Sequence, residues 1–353
     1  MVDERIKKIA DILVNYSTKV KKGDHVQIIA ETESELLIKE IYRLCLEKEA
    51  IPSVKLSFTW QPYIYYKTAS EFVLNNFPEL LLDEMKKTDV YIAVRGGRNA
   101  KELTSINPKK ISTRQKLLDP IQKERLKKRW VLFEYPSPAL AQEAEMSMEE
   151  FEDFVYKACL LDWEKESKRL DKSMKIMSKG KQVRILGENT DISFSIEGRK
   201  FKKGDGTCNM PDGEIFTAPL ENSTQGKIKF TYPAIYGGRE VSGVYLEFKD
   251  GKIIKSSADK NEAFLKEMIA TDEGSCKLGE LGIGLNPNLT RSIKSILFDE
   301  KNNSTIHLAI GSAYVECGGV NKSAVHWDFI KDMRNGKIFL DNKLVYENGE
   351  FLK

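Results

Sequence analysis

The chain has 353 residues, of which 41% are hydrophobic and 31% charged, and its 56 basic and 53 acidic side chains leave a net charge of +3. This is a globular composition with a well-solvated surface, which excludes a disordered chain and a fibre. The two signs nearly cancel, so no global field draws the protein toward a polyanion and composition gives nucleic acid no support as a partner.

At the usual size of roughly 100 to 200 residues per domain, this length predicts two domains. Ile6, Ile9, Ala10 and Leu13 recur at helical spacing, and Lys22-Gly23-Asp24 then turns the chain into the apolar run Val26 to Ala30. Thr32 with Glu35 reads as a capping box before a helix carrying Leu36, Leu37, Ile41 and Leu44, followed by a strand near Val54 to Phe58. Further strands are expected at Val90 to Val94 and Trp130 to Tyr135, with helical segments between them. That alternation predicts an α/β domain with a mostly parallel sheet over residues 1–180.

From Glu149 to Ser178 the pattern is helical and highly charged, and a boundary is expected near Gly180. Beyond it, short strands separated by Gly, Asn and Asp turns are predicted at Arg184 to Leu186, Ile192 to Ile196, Lys227 to Thr231, Gly243 to Phe248, Ile253 to Ser256, Ile306 to Ile310 and Lys337 to Leu340. Residues 181–353 therefore read as an α+β domain rich in antiparallel strands. No repeat at a solenoid period and no low-complexity tract is found.

The first twenty residues are charged throughout with no apolar signal core, and nowhere do eighteen apolar residues run together. Cys45, Cys159, Cys208, Cys276 and Cys317 are odd in number, widely spaced and without a C-x-x-C pair, which reads as reduced thiols. The expectation is a cytoplasmic protein with no membrane span.

Only three histidines are present, His25, His307 and His326, and two fall in the last fifty residues. In Val325-His326-Trp327-Asp328-Phe329, period-two alternation sends His326 and Asp328 to one face of a strand and the apolar residues to the other. Imidazole nitrogen and carboxylate oxygen are ligands that zinc accepts. On its own, the pair reads first as the wet face of a half-buried strand, ahead of a ligand pair. His307, in Ile306-His307-Leu308-Ala309-Ile310, reads by itself as a hydrogen-bonded core residue. Glu280 looks out of place in the glycine-spaced apolar segment Leu278 to Pro287, because an unpaired buried carboxylate costs several kcal/mol and calls for a cation or strong donors. Glu214 follows the turn signal Pro211-Asp212-Gly213 and starts a short apolar strand.

Taken together, the segments Asn209 to Pro219, Gly279 to Pro287, His307 to Tyr314 and Val325 to Asp328 closely resemble, in order and internal spacing, those of the aminopeptidase T and aminopeptidase S type of thermophilic metallopeptidase. The resemblance spans the C-terminal half, while the N-terminal half agrees in its α/β pattern without a sharp motif. It implies two divalent ions, zinc or cobalt with manganese as a further option, ligated by Glu214, Glu280, His307, Tyr314, His326 and Asp328. It also implies a homodimer acting on short peptides with a free N-terminus. The chain looks shorter than the usual member.

The chemistry suits a paired-metal site, in which a carboxylate bridges two ions and hydroxide forms near neutral pH. Glu280 is the candidate bridge, the proton-transferring base is Glu214 or the nearby Glu221, and Tyr314 is either a ligand or a donor to the developing oxyanion. Two other readings are an inactive homologue that binds peptide or metal, and a nucleotide- or nucleic-acid-binding protein. The last rests on Lys109 to Arg129, with nine basic and two acidic residues, and on Arg95-Gly96-Gly97-Arg98. The basic stretch is interspersed with Leu117, Leu118, Ile121 and Leu126, as in a solvated amphipathic segment. The glycine turn lacks both the dinucleotide and the P-loop pattern.

Overall fold

The computed structural model describes residues 3–352, which divide into two compact units. The first takes the described residues up to Leu161 together with Gly206–Pro211. Its sheet has five parallel strands in the order Ile51–Ser57, His25–Glu31, Val90–Arg95, Arg129–Glu134 and Asn209–Met210. Alternation along these strands buries Val26, Ile28, Ala30, Val90, Ile92, Val94, Val131 and Phe133 on one face. The helices Glu4–Asp11, Glu35–Glu47 and Met148–Cys159 supply Ile9, Leu37, Ile41, Phe151 and Val155 to the same core.

The helix that follows the first strand starts differently from the capping-box expectation. Thr32–Ser34 forms a 3-10 turn, the Ser34 hydroxyl donates back to the Glu31 carbonyl at 2.7 Å, and the α-helix opens at Glu35 without a side-chain cap. The basic stretch is helical over Pro108–Arg125 and buries no residue completely. Several of its charges are matched locally, Lys123 by Asp119 and Lys127 and Lys128 by Glu124, as expected of a solvated face.

The second unit comprises Asp162–Asp205 and the chain from Asp212 onward. It starts ahead of Gly180 because the helix Trp163–Met177 buries Leu170 and Met177 in this unit's core. An eight-stranded sheet and a five-stranded sheet share that core. The five-stranded sheet is antiparallel throughout, in the order His326–Asp332, Thr305–Gly311, Leu278–Gly284, Glu214–Thr217 and Lys202–Gly204. Ile215, Leu281, Ile283, Ile306, Leu308, Ile310, Trp327 and Phe329 belong to the core, so the intervening residues face the other way. Among the described residues no helix is long and apolar enough to cross a membrane.

Candidate metal centre

The register of the five-stranded sheet gathers the predicted side chains in two rows. In one, Ala309 pairs with Glu280 on one side and Asp328 on the other; in the next, His307 pairs with Gly282, which in turn pairs with Phe216. Gly311 faces His326, and Glu214 faces Gly284. Small residues therefore stand between the polar ones and leave a hollow above the sheet. A Cβ on Gly282 would lie 1.9 Å from His307 Nε2, so the imidazole occupies the space that any other residue would fill.

The atoms converge closely. Glu280 Oε2 is 3.2 Å from His326 Nε2 and its Oε1 is 3.6 Å from His307 Nε2. Glu214 Oε2 lies 3.3 Å from His307 Nε2, and Asp328 Oδ2 lies 3.7 Å from His326 Nε2. One ligand atom each from Glu280, His307 and Asp328 fall within 4.8 Å of one another. His326 Nδ1 lies 2.8 Å from the Ser312 carbonyl, which can only accept, so Nδ1 carries the hydrogen and Nε2 is turned to the carboxylates. Tyr314 stands at the edge, 37% exposed, with its ring 5.2 Å from those of His326 and Phe216.

Burying three carboxylates together is costly without cations. Glu214, Glu280 and Asp328 are all under a tenth exposed, and Glu214 Oε2 and Asp328 Oδ1 have no hydrogen-bond partner. The imidazoles respond by holding protons. Burial opposes the charged form of His326, but Asp328 and Glu280 push its pKa up to about 10; His307 rises to about 9 for the same reason, through Glu280 and Glu214. Burial works against Glu280 as a carboxylate, and hydrogen bonds from the two histidines overcome it and lower its pKa. The charge of Glu280, followed by burial, pushes the Tyr314 phenol well above its ordinary value. Nitrogen and oxygen donors on three buried carboxylates and two imidazoles, with orphaned acceptors among them, form a donor set that fits divalent cations.

Two features escaped the sequence reading. Lys301 is fully buried, its ammonium 3.0 Å from Glu214 Oε1, hydrogen-bonded to Glu300 and 3.9 Å from Asp212 Oδ1. In the sequence, Asp299-Glu300-Lys301 looks like any solvated charged loop. The other is Glu221, which is engaged elsewhere: both of its oxygens accept from Arg199 Nη2 at 2.7 Å and Oε1 also takes the Val320 N–H at 3.0 Å. It thereby tethers the loop that follows Tyr314.

The chain matches the family described as thermophilic metalloprotease (M29) over residues 2–351. It is 25% identical to aminopeptidase 2 of Geobacillus stearothermophilus over 93% of this chain and 92% of that one, and 25% identical to aminopeptidase AmpS of Bacillus subtilis over 99% and 98%. Aminopeptidase T of Thermus thermophilus is 24% identical over 98% of this chain and 95% of its own. The fold is that of the solved structure of wild-type AmpT from Thermus thermophilus, with a TM-score of 0.87, 22% identity and 99% of each chain covered.

Proposed function

Since this chain belongs to the thermophilic metalloprotease (M29) family, we propose that it is an aminopeptidase releasing the first residue of short peptides, with two divalent ions held by Glu214, Glu280, His307, Tyr314, His326 and Asp328. Membership makes the chain a hydrolase that uses a divalent metal and acts on peptides. The observation that carries the two-ion reading is Glu280, whose two oxygens face different imidazoles, Oε1 toward His307 and Oε2 toward His326. Glu214 lies beside His307, and Asp328 lies beside His326 while also converging with Glu280 and His307.

Ions held there, zinc or cobalt with manganese as a further option, supply Lewis acidity toward the scissile carbonyl and lower the pKa of bound water. The chain's own residues do the positioning. Lys301 spends Glu214 Oε1 and leaves Oε2 for the site, while the Ser312 carbonyl fixes the ring of His326. Of the two carboxylates considered as base, Glu214 faces the imidazoles and Glu221 is tied to Arg199, which favours Glu214 for proton transfer. Tyr314, whose ring stands beside that of His326, serves as ligand or as oxyanion donor.

We also propose a cytoplasmic homodimer. Five free cysteines are in keeping with a reducing compartment. Trp60, Phe72 and Leu80 of the first unit are 53%, 79% and 84% exposed and are the side chains by which a second copy would be engaged. The function is tested by elemental analysis and hydrolysis of leucyl peptides before and after chelation. About two ions per chain, with activity lost on chelation and restored by zinc or cobalt, is expected; full activity without metal overturns the proposal.

A further inference from the structure

In the first unit the chain leaves the strand His25–Glu31 for an edge at Ile51–Ser57, then crosses to Val90–Arg95 on the other side. The direction of winding therefore switches between His25–Glu31 and Val90–Arg95. In open parallel sheets, the carboxyl ends of the strands flanking such a switch form the usual ligand crevice. Here those ends carry Glu31 and Arg95, and both line a cavity of about 290 Å³. Its size is near the lower end of small-molecule pockets, which begin at about 300 Å³.

The charges in this cavity make no ion pair at contact distance among the described residues, although Glu31 feels the charge of Arg95. Arg125 stacks instead of pairing, its guanidinium carbon 4.4 Å from the Trp130 ring centre and 5.5 Å from that of Tyr91, with a hydrogen bond only to Gln122 of its own helix. No carboxylate among the described residues pairs with Arg95 or Arg125 at ion-pair distance. Glu31 is the opposite case. Its Oε2 is buried without a hydrogen-bond partner, and it sits so tightly against the following turn that a Cβ on Gly97 would come within 2.5 Å of it. The neighbouring Glu33 is committed to Arg98. Burial, then the charge of Glu33, raises the pKa of Glu31, while a hydrogen bond from the Gly96 N–H and the charge of Arg95 hold it back.

We propose that this pocket binds a free α-amino acid as the zwitterion, its ammonium on Glu31 and its carboxylate on Arg95 and Arg125. An apolar side chain lies against Ile29, Ala93 and Leu132, which line the same cavity. A phosphate would meet the arginines but be repelled by Glu31, and the volume is small for a nucleotide. The assignment stands apart from the metal centre and does not depend on the aminopeptidase reading, although a free amino acid is what such an enzyme releases.

Isothermal titration of metal-free, full-length protein with L-leucine, N-acetyl-L-leucine and L-leucinamide tests it. Leucine should bind saturably at one site per chain, and each blocked form should bind roughly 10- to 100-fold more weakly, the worth of one charge-assisted contact. Glu31→Gln, which keeps the shape of the side chain, and Arg95→Leu, on the surface, should each weaken leucine by the same factor. Glu280→Ala should leave it unchanged. Absence of saturable leucine binding at millimolar concentrations overturns the proposal. So does equal binding of the blocked forms, or binding that survives Glu31→Gln and is lost in Glu280→Ala.

Discussion

Gly282 and His307 are register partners on adjacent strands, and the imidazole lies where a Cβ at Gly282 would be, 1.9 Å from Nε2. The glycine is required by a close approach, not by backbone conformation. Gly282→Ala must push the ring away from Glu214 and Glu280 or bend the strand. A displacement near 1 Å at a reacting centre costs about 10²-fold in rate. We expect that loss in kcat, with about one ion fewer per chain by elemental analysis and an unchanged circular dichroism spectrum. A Gly282→Ala protein with full metal content and full rate would contradict the placement of His307 in the site.

Glu280→Ala and Glu214→Ala should differ in metal content. Glu280 faces both imidazoles, whereas Glu214 faces His307 with one oxygen and Lys301 with the other. If Glu280 is the shared ligand, its removal would weaken the hold on both ions, and both should be lost. Glu214→Ala should keep about one. Since altering outer-shell partners alone costs about 10- to 100-fold in activity or affinity, each direct loss should cost at least ~10². Equal retention of metal in the two variants refutes the bridge assignment.

How much of this was legible in the sequence differs residue by residue. His326 and Asp328 were readable because a strand's period of two puts alternate residues on one face regardless of what the strand pairs with. Glu280 was conspicuous as a carboxylate among glycines and apolar residues. His307 was not, since its flanks fit a core histidine better, and it is both buried and within 3.6 Å of Glu214 and Glu280. The row in which Ala309 separates Glu280 from Asp328 depends on pairing between strands distant in sequence, which no local pattern encodes. Burial of Lys301 is likewise non-local: its partners Asp212 and Glu214 come from almost ninety residues away. The parallel sheet was plain from the alternation of elements, while the entry turn at Thr32 is closed by the Ser34 hydroxyl donating to the Glu31 carbonyl.

Lys301 should prove a stability element. Its ammonium is fully buried among Glu214, Glu300 and Asp212. Removing one partner of a buried ionic group leaves uncompensated charge, which costs about 3–5 kcal/mol. Lys301→Met, close in volume, should lower the unfolding free energy of metal-free protein by that amount in a denaturant titration. A change below about 1 kcal/mol, in the range of an exposed pair, would mean the lysine is solvated in solution.

The proposed homodimer is tested at Phe72 and Leu80, which are 79% and 84% exposed. Light scattering should give a dimer mass, and Phe72→Asp combined with Leu80→Asp should shift it to monomer. A monomer mass for the unaltered protein across a wide concentration range would contradict the homodimer.

Aminopeptidase action makes the sharpest demand on the site, because metal chemistry alone attacks any amide brought near it. Selectivity for the first bond has to come from the α-amine. With a free pKa of about 8, that group either meets a carboxylate as ammonium or approaches a metal as neutral amine, and both contacts fix the bond in place. Acetylation removes the charge and the basicity of the amine while keeping the scissile anilide. If positioning is worth several kcal/mol, leucyl anilide should be cleaved orders of magnitude faster than its N-acetyl form. An unfolded protein should lose residues from its amino end without internal cuts. Equal rates on the two anilides, or internal fragments from the protein, would leave a metallohydrolase and refute the aminopeptidase assignment.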